Sequence, residues 1–374
     1  MTRRTLPLLL IVVLGVIFSA GLSTSALAQE EGTSVEEFVR DGTLFLLSGD
    51  CELAQYYFKQ ALEIEPENAE ALIGNGRALA CRNNYPLAIE SFQKAIEVDA
   101  DNSEAYVQLA LAYQDQYLSD PERFPNRLNE ALRTLEIAEE QDPRNARVQN
   151  AKGVVLFQMG SLQAAQTALE AAVEFSRAEG SAMTDEERSV VLVNLGKTYR
   201  DLGNLEQALN AFRRAVVLDP TSSSAHNNLG NIHYRMGSCE DAEYELAQAA
   251  ALEPDSLSAV SQLAIALFEC GNVERSIPYF EQAVELPGAI FNPPLYTYLA
   301  RAYAQQGRFD EAVRRAQQGA LLEPVTADAY FYLGEIYQAR GEQGDAQAAQ
   351  EAYQHALELD PQHQGAQEAL AGLN

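Results

Sequence analysis

Apolar, small and polar positions recur along this chain with a fixed spacing. Residues 189–222 (SVVLVNLGKTYRDLGNLEQALNAFRRAVVLDPTS) and 223–256 (SSAHNNLGNIHYRMGSCEDAEYELAQAAALEPDS) are each 34 residues long and align in phase. Leu195-Gly196 falls on Leu229-Gly230, Gly203 on Gly237, Ala208 on Ala242, Ala215 on Ala249 and Pro220 on Pro254. A fixed period of this length points to stacked units rather than one closed core. Carried along the chain, the register gives nine units: 35–68, 69–102, 103–145, 146–179, 189–222, 223–256, 257–290, 293–326 and 327–363. Residues 364–374 read as a last helix over the open end, as terminal caps do in repeat arrays.

Three columns of small residues test the register. The eighth residue of each unit is Gly42, Gly76, Ala110, Gly153, Gly196, Gly230, Ala264, Ala300 or Gly334. The twentieth-equivalent runs Ala54, Ala88, Ala131, Ala165, Ala208, Ala242, Ser276, Ala312, Ala349. The twenty-seventh-equivalent is Ala61, Ala95, Ala138, Ala172, Ala215, Ala249, Ala283, Gly319, Ala356. Small side chains let two helix axes approach within the ~8–10 Å packing range. Large apolar residues such as Phe58, Phe92, Phe212 and Phe280 fill the gaps at another repeated place. A terminal proline (Pro66, Pro143, Pro220, Pro254, Pro324, Pro361) stops the second helix of six units. The pattern resembles the tetratricopeptide repeat, a helix-turn-helix unit with small residues at fixed places. The resemblance covers essentially all of residues 35–363 and implies an all-α fold, a helical-hairpin solenoid wound into a superhelix and closed by a C-terminal capping helix.

Departures from the repeat mark further features. Ser34 with Glu37, and Thr184 with Glu187, have capping-box spacing, so helices are expected to begin just after Ser34 and Thr184. The third unit carries about nine extra residues around Gln116–Asn126, read as a loop with exposed Tyr117 and Phe124 that either binds or packs over the neighbouring turn. Pro287-Gly288 and Pro293-Pro294 suggest a slight break in stacking, and the ninth unit has three extra residues near Gly341–Asp345.

The first 28 residues differ from the rest. Arg3 and Arg4 precede an apolar run from Leu6 to Ala20, and Ala26-Leu27-Ala28 has the form of a signal-peptidase site. This predicts a cleaved secretory signal at 1–28, a short linker at 29–34 and a periplasmic or extracellular protein. The alternative is an uncleaved anchor, although the run is short against the roughly 20 apolar residues that a span needs. The chain carries 54 Asp and Glu against 26 Lys and Arg, a net charge of −28. Such a surface repels phosphate backbones and anionic headgroups, so nucleic acid is not an expected partner. Its plainest use is keeping a long solenoid soluble.

Four cysteines allow three pairings. Cys51 and Cys239 occupy one place in the register, and Cys81 and Cys270 lie near the end of the first helix of the following unit. Stacked turns then favour Cys51–Cys81 and Cys239–Cys270, because the other pairings join distant units; four free thiols are the alternative.

Recognisable catalytic chemistry is lacking. No G-x-S-x-G, H-E-x-x-H, P-loop or dinucleotide motif occurs, and no His or Cys cluster has zinc spacing, so neither metal nor cofactor is expected. His226 and His233 share a helix face but read as repeat-core residues. In tetratricopeptide repeats the second, fifth, ninth, twelfth and thirteenth residues of first helices commonly face ligand. That resemblance implies a groove holding Lys197, Arg200, Asn227, Asn231, Tyr234, Arg235 and Arg301, with Val193, Ile265 and Phe268 adding apolar contact. Arg and Asn there suit a carboxylate or acidic segment of a partner. The expectation is a non-enzymatic protein- or peptide-binding scaffold; a self-associating acidic envelope protein, or an enzyme without a recognisable motif, are the alternatives.

Overall fold

The structure, a computed structural model, describes residues 34–178 and 183–373. The expected signal segment lies outside the described residues. Among the described residues there are nineteen α-helices and no strand. The first four hairpins pair α1 (Val35–Leu47) with α2 (Cys51–Ile64), α3 (Ala69–Cys81) with α4 (Tyr85–Val98), α5 (Ser103–Ser119) with α6 (Arg127–Gln141), and α7 (Ala146–Gln158) with α8 (Leu162–Phe175). Three more pair α9 (Asp185–Asp201) with α10 (Leu205–Leu218), α11 (Ser223–Arg235) with α12 (Cys239–Leu252), and α13 (Leu257–Glu269) with α14 (Val273–Glu285). The last two pair α15 (Pro293–Gln305) with α16 (Phe309–Ala320) and α17 (Ala327–Arg340) with α18 (Asp345–Leu359), and α19 (Gln364–Leu373) covers α18.

Local chemistry sets these boundaries. Asn68, Asn102, Asn145, Ser222 and Ser256 each accept a hydrogen bond from the backbone N–H of the third residue onward, satisfying a donor that a helix start leaves free. Ser34 with Glu37 and Thr184 with Glu187 form reciprocal capping boxes, and α9 accordingly starts at Asp185, ahead of its repeat phase. Between hairpin helices the chain passes through the left-handed region, at Gly203 (φ 81°) and Gly237 (φ 79°) for example; Asn83 (φ 58°) takes that place in the second unit.

Packing explains the small columns. Every residue of the two second-helix columns is buried. A Cβ on Gly196 would lie 2.5 Å from the Phe212 ring, which is itself fully buried. Each first helix touches the first helices of the units before and after it, while successive second helices make no comparable contact. First helices therefore form a tight inner layer and second helices a wider outer one, which curves the stack around a groove.

The departures resolve in detail. The expected loop at Gln116–Asn126 is shorter than the sequence implied: α5 runs on to Ser119, because QYLS has no residue that stops a helix before Pro121. Its aromatics are half-buried rather than exposed. Phe124 lies under Arg123 (5.1 Å to the ring centroid) and Arg127 (5.9 Å), and Arg127 also stacks on Tyr113 (4.9 Å). The Pro287–Pro294 stretch holds a 3-10 turn, Ala289–Phe291, whose Ala289 joins the core, so apolar packing continues from Leu246 to Ala352. In the ninth unit the longer turn uses Gly341 and Gly344, both with positive φ, and is pinned where Arg340 donates to both oxygens of Asp345 (2.8 and 2.9 Å). Cys51 is joined to Cys81 and Cys239 to Cys270, with Cα–Cα distances of 6.0 and 5.9 Å. Each bridge ties the second helix of one unit to the first helix of the next.

Candidate functional site: the concave groove

The second, fifth and ninth residues of α3, α5 and α7 face the hollow side of the stack. In the N-terminal half they line a cavity of about 780 Å³. Ile73, Val107, Leu111 and Val154 supply apolar walls, and Arg77 and Arg147 stand among Glu70, Glu104 and Glu187. Arg147 on α7 donates through Nε and Nη2 to the two carboxylate oxygens of Glu187 at 2.8 and 3.0 Å. Glu187 also accepts from the Thr184 backbone N–H at 2.8 Å. The Arg147 guanidinium is the main cause holding the Glu187 carboxyl below its usual range, with the backbone hydrogen bond adding to it. One side chain thus caps α9 and fastens it to α7. Arg77 is exposed and has no ion partner among the described residues.

Further along, Lys197 on α9 is half-buried beside a smaller hollow of about 180 Å³ shared with Val154, Phe157 and Gln158. Burial, with a smaller push from Arg200, holds its ammonium below the ordinary lysine range. No carboxylate among the described residues pairs with it. Arg200 turns to the helix end, where Nε donates to Asp201 at 2.7 Å. The Asn231 amide donates to the Asn227 carbonyl at 2.9 Å, within α11, while the Asn227 side-chain oxygen is buried without a partner among the described residues. Tyr234 is half-buried, and burial and then Glu269 push its hydroxyl pKa up. Arg235 is exposed and without an ion partner among the described residues.

Arg301 is placed differently. Its guanidinium lies 4.4 Å from the Tyr332 ring centroid, 5.0 Å from Phe268 and 5.3 Å from Tyr298, with Glu269 at 4.0 Å. This cation binds three units together from within. Val193 and Phe268, expected to offer apolar contact, are 5% exposed and lie in the seams between first helices; Ile265 is half-buried. His226 and His233 are buried in the stack, His226 with Nδ1 2.6 Å from Glu245 and Nε2 3.1 Å from the Pro220 carbonyl. No group of three or more metal-ligating side chains occurs among the described residues.

The expected groove residues thus centre on α9, α11 and α15, and leave out the cavity of about 780 Å³ on α3, α5 and α7. The signal was present, since Glu70, Ile73, Arg77, Val107, Leu111 and Arg147 occupy those same second, fifth and ninth places. They attract less notice because their charges alternate in sign.

Comparison with known proteins settles the family. Two repeat models match, one described as TPR repeat at residues 76–116 and 196–237, the other as Tetratricopeptide repeat at 126–181, 228–290 and 299–346, together more than half of the chain. The chain is a tetratricopeptide repeat protein. It is 33% identical over 106 residues to the Hsp70-Hsp90 organizing protein of Triticum aestivum, a match spanning 28% of this chain and 17% of that one. It is also 33% identical over 106 residues to the small glutamine-rich tetratricopeptide repeat-containing protein 2 of Mycosarcoma maydis, spanning 27% and 29% of the two chains. The match therefore covers less than a third of either relative's length. Among solved structures, the APC/C hetero-tetramer Cut9-Hcn1 aligns with a TM-score of 0.57 at 16% identity, over 91% of this chain and 67% of that one, a likeness of fold.

Proposed function

We propose that this repeat protein is an exported, non-enzymatic scaffold whose concave groove receives an extended, carboxylate-bearing segment of a partner protein. The observation that carries this reading is the groove itself: a cavity of about 780 Å³ with apolar walls. Beyond it Lys197 and Arg235 stand without carboxylate partners among the described residues, as Arg77 does at its rim. Apolar walls supply affinity, and uncommitted cations orient carboxylates. In a chain of net charge −28, a cation left unpaired is available to a foreign acid. The organizing role named for the Triticum aestivum relative is a protein-binding one and fits this class.

Export rests on the first 28 residues, and the cysteine pairs suit an oxidising compartment, periplasmic or extracellular. N-terminal sequencing of the protein from its host tests this; a new terminus at Gln29 is expected, and an intact Met1 contradicts cleavage. For the groove, a crosslinked pull-down from envelope extract compares wild type with a Lys197, Arg200, Asn231 and Arg235 to Ala variant and with Ile73→Glu. A partner held by wild type and lost from at least one variant of unchanged helicity supports the groove. Equal capture by all three contradicts it.

A further inference from the structure

A second hollow lies at the irregular join of the fourth and fifth units, among the end of α8, α9 and α10. Its volume is about 290 Å³. Val173, Leu192, Val217 and Leu218 form an apolar floor, and Arg177, Arg188, Arg213 and Arg214 surround it. Two features make this more than an ordinary solvated face. The chain has twice as many acids as bases, yet four arginines converge here. Arg177, Arg213 and Arg214 have no ion partner among the described residues, so their charge is not spent within the stack. The Arg188 side chain donates to Asp185 (2.9 Å) and to the Met183 carbonyl (3.1 Å), but its Nε is buried with no acceptor among the described residues. Val217 is the most exposed of the four apolar floor residues, at 78%.

We infer that this hollow is a docking site for an acidic peptide segment of another protein, one carrying an aliphatic side chain between flanking carboxylates. The floor accommodates the aliphatic anchor, the buried apolar element that gives such a contact its affinity. Arginine forks suit carboxylates because two parallel N–H groups meet the two oxygens. A purely anionic ligand would leave Val217 and Leu218 unused, and a purely apolar one would leave the arginines unanswered. The site is separate from the groove: it lies between the end of α8 and α10, with Arg188 and Leu192 of α9 between them, and it shares no lining residue with the groove cavities. The protein would then hold two different segments at once, one in each hollow.

The test is a selection of random 12-residue peptides on the immobilised full-length protein freed of residues 1–28, followed by affinity measurement of the enriched peptides. The comparison variants are Arg213→Ser with Arg214→Ser, Val217→Asp, and the groove variant Ile73→Glu. Arg213 and Val217 are exposed, Arg214 is half-buried and Ile73 is a buried residue of the groove wall, so circular dichroism checks the helicity of each variant. The expected result is enrichment of peptides with an aliphatic residue flanked by Asp or Glu. These should weaken about tenfold or more on the double Ser variant and on Val217→Asp, and bind Ile73→Glu as they bind wild type. Binding should also weaken as salt rises from 50 to about 300 mM. Peptides that bind the arginine variant as well as wild type overturn the inference, as does the absence of acid-flanked sequences. Equal competition by inorganic tripolyphosphate and by an enriched peptide, at matched charge, would also overturn it, because the hollow would then take any polyanion.

Discussion

At Gly196 the whole repeat is decided by the absence of one carbon. Phe212 packs against its backbone and is fully buried, so the ring has nowhere to retreat. Alanine in a helix gains about 1 kcal/mol over glycine, whereas overpacking a filled core costs about 1–3 kcal/mol. Gly196→Ala is therefore expected to lose about 1 kcal/mol in urea unfolding; a gain contradicts this account of the column. Lys197, one residue on, makes the opposite case. Its depressed pKa means that the unfolded chain holds the proton more tightly, so the folded state suffers a penalty at neutral pH that fades as pH rises toward the ordinary lysine value. Lys197→Met is expected to raise the melting temperature at pH 7 by on the order of 1–2 °C, with the gain shrinking toward pH 10, and to weaken partner capture. A lowered melting temperature would mean that the ammonium is a stabilising residue after all. Individual groove roles were the least legible part of the sequence. Lys197 and Arg301 both occupy the ninth place, yet one is left without a counter-charge and the other is enclosed by Phe268, Tyr298 and Tyr332, which come from three different units. Position within a repeat shows which way a residue points, whereas its neighbours in adjacent units determine what it meets.

Elements were far more legible, because each is specified by residues close in sequence. Asn68, Ser222 and Ser256 start helices through their own side chains, and Gly203 and Gly237 turn the hairpins without help from elsewhere. The misjudged element was α5, where a run of good helix formers extended the helix into the expected loop. Irregular joins carry their own fasteners, and these are sensitive to conditions. Arg340, foremost, holds Asp345 below the usual aspartate range, and the Glu342 backbone N–H adds to this. A carboxyl depressed on folding contributes stability that is complete above its unfolded pKa, near 4, and is lost as pH falls through the lower folded value. Asp345→Asn is therefore expected to melt below wild type at pH 7, with the two curves converging as pH falls through the lowered folded value; a constant gap would assign the effect to shape rather than charge. The bridges act between elements. Each closes a loop of about 30 residues, worth about 3 kcal/mol by chain entropy. Replacing Cys239 and Cys270 by Ser should lower local stability by that order, seen as faster amide exchange in α12 and α13 and little change in α17, because a solenoid transmits stability mainly to neighbours. Uniform loss across the chain would contradict a nearest-neighbour stack.

For the whole molecule, the repeat converts one local rule into a long curved surface. Close contact among first helices and wide spacing among second helices produce the groove without any residue dedicated to making it. Its inside is mixed in charge and partly apolar within a strongly acidic chain, and in the proposed function its local cations receive a partner's carboxylates. No helix among the described residues is long and apolar enough to cross a membrane, and the proposed work is done on surfaces. The most direct test places a photocrosslinking p-benzoylphenylalanine at Leu111, inside the groove, and separately at Tyr244, which is 63% exposed on the second helix α12. Irradiation of the host producing each variant should give a discrete protein adduct from position 111 and none from position 244. An adduct from 244 alone, or from neither position, would contradict a groove that binds a partner segment.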